Sequence, residues 1–212
     1  MSALPRAMAR AALGLAAFAL ITAGSVAVTR ALTAERIANN RQAAQRQAIV
    51  EVAPAGYDGD PLDHARRHPA APALGQAAPF TLWQARAGDR LRGVVLPVAT
   101  DAGYSGRIAL VVGIDATGRL SGVRVAEHRE TPGLGDRIEA RKSDWIRQFA
   151  GHSLAAPPAG GWAVDRDGGG IDALTGATIT SRAVVEAVHA ALRWFDAERD
   201  ALLAPPHRGD RP

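Results

Sequence analysis

The sequence predicts an α+β protein in which a single transmembrane helix precedes a domain with a small antiparallel sheet and packed helices. Three observations lead to this fold class. An uncharged apolar segment occupies residues 11–29, alternating apolar residues cover 91–128, and an amphipathic helical pattern covers 181–203. Strands followed by a terminal helix are typical of domains in which helices lie against one sheet.

Residues 11–29 are predicted to anchor the chain in a membrane, leaving residues 1–10 as a short cytoplasmic N-terminus. At about 1.5 Å per residue the segment spans roughly 28 Å, close to the ~30 Å of a bilayer core. The alternative is a cleaved signal peptide, with Ser-Val-Ala at 25–27 as the cleavage site. Arginines flank both ends, and long domains translocate regardless of charge, so the charge count alone does not decide the orientation.

Residues 30–77 are predicted to form a polar helix and a linker. Helix formers without Gly or Pro fill 31–50, whereas 53–79 are rich in Pro, Ala and Gly and are expected to have little regular structure. His64 and His68 lie four residues apart in this linker. The flanking prolines favour a solvated loop there over a metal site.

The domain itself is predicted to cover residues 78–203. Period-two alternation indicates three strands, at 91–100, 106–115 and 119–128, with a hairpin turn at 115–118. Residues 130–135 contain a Pro and two Gly and are expected to form a rigid loop.

Shorter elements are predicted between the sheet and the last helix. Asp136 and Ser143 are candidate helix caps, and residues 162–164 are a candidate short strand. Trp145 and Trp162 are expected to pack in the core. The last helix is predicted over 181–203, with a disordered tail at 204–212.

Composition excludes several classes of function. The chain has no cysteine, which removes disulfides, thiolate catalysis and iron–sulfur ligation. The net charge is +4, but the arginines are scattered rather than gathered in a basic stripe, so no nucleic-acid partner is expected. No set of acid–base or metal-ligating residues converges, so we expect neither a catalytic residue nor a metal site.

The segment before the last helix holds more hydroxyl groups than a helix start requires. Residues 171–181 read IDALTGATITS, and one cap, for which Thr180 or Ser181 is the candidate, would satisfy the helix. The N–H groups of a first turn also form a natural phosphate site, and Gly176 permits close backbone approach. Neither GxxxxGK[ST] nor GxGxxG is present, so a phosphate here is not held by a P-loop.

The residues TGAT at 175–178, followed by Ile-Thr-Ser, resemble the flavinylation motif of the FMN-binding domain family. In that family the motif is Ser/Thr-Gly-Ala-Thr-x-Ser/Thr, and its last threonine carries FMN through a phosphoester. The resemblance implies that Thr178 is the attachment point. It also implies maturation by a separate flavin transferase that uses FAD and Mg²⁺.

Two further blocks, GYSGRIALVVGIDATGRLSGVRV at 103–125 and HRETPGLGDRIEARKSDWI at 128–146, resemble the G subunit family of the Rnf (Rsx) complex. That complex is an ion-translocating ferredoxin:NAD oxidoreductase. The alternatives are the C subunit of the sodium-translocating NADH:quinone reductase, a periplasmic flavin-binding sensor or assembly module, and an anchored structural domain without flavin.

The resemblance implies a redox subunit that works within a translocase complex and is not an enzyme by itself. Its partners would be the other membrane and iron–sulfur subunits, and its soluble domain would be periplasmic on a single-pass inner-membrane anchor. The implied cofactor-binding residues lie in the threonine turn and in the 130–135 loop: Thr175, Gly176, Ala177, Thr178, Thr180, Ser181, Thr131, Gly133 and Leu134.

Overall fold

The computed structural model describes residues 3–158 and 160–203 of the chain. The described chain divides into two compact units, with the boundary between Ala44 and Gln45. The predicted tail at 204–212 lies outside the described residues.

The first unit consists of most of helix α1, Ala3–Val52. Its apolar side chains point outward on every side, as for Leu13 (70% exposed) and Leu20 (74% exposed). Within the described residues, one helical segment, Met8–Val52, is long and apolar enough to cross a membrane, with a mean hydropathy of 2.1 in its most apolar window. The predicted apolar segment 11–29 therefore lies inside one continuous helix.

The second unit is built on a five-stranded antiparallel sheet in which the strands follow one another in chain order. The strands are β1 (Ala65–His68), β2 (Phe80–Ala87), β3 (Arg90–Gly103), β4 (Gly106–Asp115) and β5 (Leu120–Glu127). The sequence pattern predicted the last three strands but neither β1 nor β2. The β1 sequence, ARRH, has no apolar alternation, so its strand conformation depends on pairing with β2.

Helix α2, Thr178–Leu203, covers one face of the sheet. Its buried side chains and alternate residues of β3 and β4 form the main core, which includes Val184, Val185, Val188, Leu192, Phe195, Leu96, Val98, Leu110 and Val112. Neighbouring residues of the same strands point to the opposite face. There the end of α1 packs in a smaller cluster of Ile49, Val52, Trp83, Val95 and Val111.

The stretch that the sequence assigned to an irregular linker has regular structure. Besides β1 it contains two 3-10 helices, Pro61–His64 and Pro72–Leu74. Asp60 caps the first by accepting a hydrogen bond from the Leu62 N–H at 3.0 Å. The expectation of little regular structure over 53–79 was wrong because proline at the first turn starts a short helix instead of preventing one.

Between β5 and α2 the chain forms three 3-10 helices, Gly135–Ile138, Trp145–Phe149 and Asp165–Asp167. The predicted strand at 162–164 is wrong, since that segment makes only an isolated bridge between Val164 and Ile171.

Of the two predicted caps in this region, Asp136 is wrong, because it lies inside the first 3-10 helix. Ser143 lies one residue before Asp144, which precedes the second 3-10 helix, but the Ser143 hydroxyl accepts a hydrogen bond from the Trp145 N–H at 3.3 Å and so does satisfy the start of that helix. The core positions of Trp145 and Trp162 are confirmed, since they are 9% and 8% exposed.

Candidate functional site

A cavity of about 460 Å³ opens where four segments meet: the β3–β4 turn, the 3-10 helix Asp165–Asp167, the loop after β5, and the start of α2. The residues of the last two segments are separated by more than 40 positions in sequence. The cavity is lined by Tyr104, Glu130, Thr131, Leu134, Gly135, Arg166, Gly176, Ala177, Thr178, Ile179 and Thr180.

Helix α2 begins at Thr178, three residues earlier than the pattern predicted. Thr180 and Ser181 therefore lie within its first turn and are fully buried, so the prediction that either caps the helix was wrong. The Ser181 hydroxyl donates to the Ala177 carbonyl and accepts from the Leu174 N–H, both at 3.0 Å. Ser181 thus fastens the turn that precedes α2 to the helix itself.

The Thr178 hydroxyl group belongs to a half-buried residue at the first position of α2 that lines the cavity. Just before it, Gly176 has a φ of +84°, a conformation that other residues rarely adopt. A Cβ at Gly176 would also lie 3.1 Å from Leu134 Cδ2. Glycine therefore allows this turn to approach the loop after β5.

The loop after β5 is closed by its own backbone and packs tightly against α2. The Thr131 carbonyl accepts hydrogen bonds from the N–H groups of Leu134 (3.2 Å) and Asp136 (3.3 Å). A Cβ at Gly135 would lie 2.9 Å from the side chain of Glu130 and 3.0 Å from Thr180 Oγ1. A residue larger than glycine would push the loop away from the first turn of α2.

Glu130 joins three of these segments: the β3–β4 turn, the loop after β5 and the first turn of α2. The residue is only 4% exposed; one carboxylate oxygen accepts from the Ser105 N–H at 3.0 Å and the other accepts from the Thr180 hydroxyl at 2.5 Å. The Glu130 N–H donates to His128 Nδ1 at 3.0 Å. A buried carboxylate is tolerated here because both of its oxygens are hydrogen-bonded.

A group of charged side chains outside the cavity lining supports this loop. His128 Nε2 lies 3.0 Å from Glu139, and Lys142 bridges Glu139 (2.6 Å) and Asp136 (2.7 Å). Burial alone would raise the pKa of Glu139, but hydrogen bonds from Arg141, Lys142 and His128 lower it to about 2. The Lys142 ammonium likewise lowers the pKa of Asp136.

The rim of the cavity is apolar on one side and cationic on another. Tyr104, Leu134 and Ile179 are 68%, 46% and 48% exposed, and exposed apolar side chains grouped around one opening are typical of a ligand site. Arg166 brings a positive charge to the same cavity.

Of the nine residues that the resemblance implied, six line the cavity: Thr131, Leu134, Gly176, Ala177, Thr178 and Thr180. Thr175 and Gly133 lie close in sequence but outside the lining, and Ser181 is buried behind the helix start. The lining also contains Tyr104, Glu130, Gly135, Arg166 and Ile179, which the sequence argument did not select. Glu130 and Gly135 are the first and last residues of the predicted rigid loop, so their position in the sequence could have identified them as candidate site residues.

The cavity has the character that FMN requires. A flavin mononucleotide combines a planar, mostly apolar ring system with an anionic phosphate. The cavity offers exposed apolar side chains at its rim, a helix N-terminus with Thr178, and one arginine. Its volume of about 460 Å³ is also within the usual range for small-molecule sites.

Fold and site together define an FMN-binding domain, and a family model with that description matches residues 103–193. A second model, described as the RnfG N-terminal region, matches residues 1–52 and so ends at the residue where α1 ends.

Relatives of similar length match almost the entire chain. A Pseudomonas aeruginosa protein, named as the G subunit of an ion-translocating oxidoreductase complex, is 50% identical over 94% of both chains. Proteins of the same name from Cronobacter sakazakii and Vibrio cholerae are 44% and 39% identical, covering 93% and 91% of this chain and 95% and 92% of their own. The chain belongs to the family of G subunits of ion-translocating oxidoreductase complexes.

Proposed function

We propose that this chain carries FMN esterified to Thr178 and transfers electrons within a membrane-bound, ion-translocating oxidoreductase complex. Membership in the G subunit family and the FMN-binding domain support the cofactor and the class of complex. The covalent bond joins the Thr178 side-chain oxygen to the FMN phosphate.

The position of Thr178 is the single observation that carries the proposal. Within the threonine turn, Thr178 is half-buried and lines the cavity, so its hydroxyl group combines partial access with a defined position. Thr180 and Ser181 are fully buried and hydrogen-bonded, and Thr175 lies outside the lining. Geometry therefore favours Thr178 among the four hydroxyl groups, in agreement with the motif.

The remaining residues hold and orient the cofactor. When bound, FMN supplies the electron chemistry, and the protein determines where the ring lies and which charges surround it. The backbone of Thr175, Gly176 and Ala177 shapes the turn at the phosphate end. Thr131, Gly133 and Leu134 belong to the loop that closes over the ring, and Glu130 holds that loop against α2.

A covalent ester suits a domain outside the cytoplasm, because an attached cofactor cannot be lost by dilution. We propose that α1 crosses the inner membrane once, that the second unit lies in the periplasm, and that a separate flavin transferase attaches the cofactor there. Other membrane and iron–sulfur subunits of the complex would exchange electrons with it and couple the flow to ion transport.

The attachment is tested with the full chain produced together with a flavin transferase. Thr178→Ala protein is expected to fold but to carry no covalent flavin, as measured by intact mass and in-gel fluorescence. Thr117→Ala is the matched control, because it removes an exposed hydroxyl in the turn between β4 and β5, outside the lining and outside the motif, and should leave the mass shift intact. A flavin mass shift that persists in Thr178→Ala protein would contradict the assignment.

A second measurement separates an electron carrier from a flavin-binding sensor or assembly module. Reduction and reoxidation of the bound flavin by the partner subunits should proceed in reconstituted membranes. If the flavin responds to dithionite alone and never to the complex, the carrier role fails while the attachment stands.

A further inference from the structure

Among the described residues, the Arg166 side chain makes no contact that would give it a structural role in the domain. It lines the same cavity as Thr178, and its side chain is exposed. Within residues 3–158 and 160–203, its guanidinium makes no hydrogen bond or ion pair. An arginine whose five side-chain donors have no partner among the described residues is suited to an anion that arrives from outside the chain.

The residues on either side of Arg166 fix its backbone relative to α2. The Asp165 carboxylate accepts a hydrogen bond from the Ala173 N–H at 3.0 Å, just before the threonine turn. The Asp167 carboxylate pairs with two nitrogens of Arg182, at 2.5 and 2.7 Å, on the second turn of α2. Arg166 therefore projects from a segment tied to both sides of the threonine turn.

The acidic groups near this position already accept hydrogen bonds within the domain. Asp165 and Asp167 are occupied by the contacts that hold the segment, and both oxygens of Glu130 accept hydrogen bonds. The Arg166 cation lies in the same lining as the positive end of α2, and its guanidinium has no hydrogen-bond or ion-pair partner among the described residues. This arrangement favours a single anionic group close to Thr178.

We propose that Arg166 is the positioning residue for the flavin phosphate and pairs with the two non-bridging oxygens of the phosphodiester on Thr178. The proposal rests on the attachment proposed above. Once esterified to both ribityl and threonine, the phosphate bears one negative charge, and a planar guanidinium can bind its two free oxygens together. This contact restricts rotation about the ester and so holds the ring against the Leu134 loop.

The test uses full-length protein in detergent, flavinylated by co-production with a flavin transferase. Arg166→Gln removes the charge, Arg166→Lys retains it without the planar fork, and Arg193→Gln is the control. Arg193 is also exposed but lies on α2 roughly 22 Å beyond Thr178 along the helix axis and outside the cavity lining. Phosphorus NMR reports the phosphodiester directly, with each variant unfolded in urea as its own reference.

In wild-type protein the phosphorus resonance should differ between the folded and unfolded states. Arg166→Gln should remove most of that difference and slow flavin incorporation about two- to fivefold, the size expected for one partly exposed ion pair. Arg166→Lys should restore part of both effects, and Arg193→Gln should change neither.

An unchanged folded resonance and incorporation rate in Arg166→Gln would overturn the proposal. Equal loss of flavin in the Gln and Lys variants would also overturn it, because a role for charge requires partial rescue. Failure of the attachment itself would appear differently, as wild-type protein without a phosphodiester signal.

Discussion

The two long helices of this chain contain similar apolar residues, but those residues have opposite surroundings. Leu20 of α1 is 74% exposed, whereas Leu192 of α2 is 1% exposed. In α2 the apolar side chains recur on one face and pack on the sheet. In the apolar part of α1 they surround the axis, and no charge interrupts residues 11–29.

The distribution of apolar residues around the axis therefore separates the two roles. A helix with one apolar stripe can satisfy it against a sheet and leave its polar face in water. A helix that is apolar on every side requires an apolar environment on every side, and α1 is long and apolar enough to cross a bilayer. The first turn of α2 can therefore contribute to a site, while the apolar stripe of the same helix packs on the sheet.

The largest expected difference comes from placing the same charge at both leucines. Leu192→Asp buries an uncompensated carboxylate in the core and should prevent folding of the second unit, a loss of more than about 4 kcal/mol. Leu20→Asp should leave that unit folded but weaken membrane insertion by roughly 2.5–3.5 kcal/mol. Tryptophan fluorescence during urea denaturation measures the first effect, since all four tryptophans follow residue 52, and membrane fractionation measures the second.

If Leu20→Asp destabilised the second unit as much as Leu192→Asp does, the proposed difference between the surroundings of the two helices would be wrong. Leu192→Ala is a useful intermediate, since a cavity without a charge should cost about 2–5 kcal/mol and leave a measurable transition.

Glycine substitutions should give the second-largest difference between the candidate site and α1. A Cβ at Gly135 would collide with Glu130 and Thr180, whereas a Cβ at Gly24 in α1 would meet nothing within 4 Å. Gly135→Ala should therefore destabilise the second unit by about 1–3 kcal/mol and lower flavin incorporation. Gly24→Ala should change neither quantity, and a flavin yield unaffected by Gly135→Ala would show that the loop does not need this close contact.

Serine substitutions in α1 and α2 should differ less in their effect on the stability of the second unit. Ser25 in α1 donates only to the Thr22 carbonyl of its own helix at 2.9 Å, whereas the Ser181 hydroxyl serves two partners. Ser181→Ala leaves the Leu174 N–H without its acceptor and should cost about 1–2 kcal/mol in urea denaturation. Ser25→Ala should be neutral for the same transition. Equal midpoints for wild type and Ser181→Ala would mean that the turn is held by backbone contacts alone.

The smallest expected effect is a response to acid that only the second unit should show. The pKa of Glu139 is lowered from 4.5 to about 2, so the stability from its ionisation is complete above pH 4.5 and is lost as the pH falls toward 2. Because the group is partly exposed, we expect this contribution to be about 1 kcal/mol. Glu139→Gln should show that much less decline between pH 6 and pH 2 in urea denaturation, while residues 11–29 contain no group that titrates. An identical decline in both proteins would exclude Glu139 as the cause.

Much of this architecture followed from local pattern. The apolar run, the alternation in β3, β4 and β5, and the one-sided helix were all visible because each depends on residues close in sequence. The threonine turn was recognisable by its motif, and Thr178 lines the cavity as that resemblance implied. By contrast, β1 and the early start of α2 were missed, since pairing with β2 and the Ser181 hydrogen bonds determine them.

The sequence by itself determined that the chain has an apolar helix long enough for a membrane, a β-rich domain, and a threonine turn at a helix start. Only the tertiary structure decided that Thr178 is the partly accessible hydroxyl of the threonine turn in the cavity, that Glu130 ties three segments together, and that Arg166 brings a charge to the same cavity. The periodicity of apolar residues indicates which face of its own helix or strand a residue occupies. A binding site depends on contacts between segments far apart in the chain, and those are fixed only when the core packs.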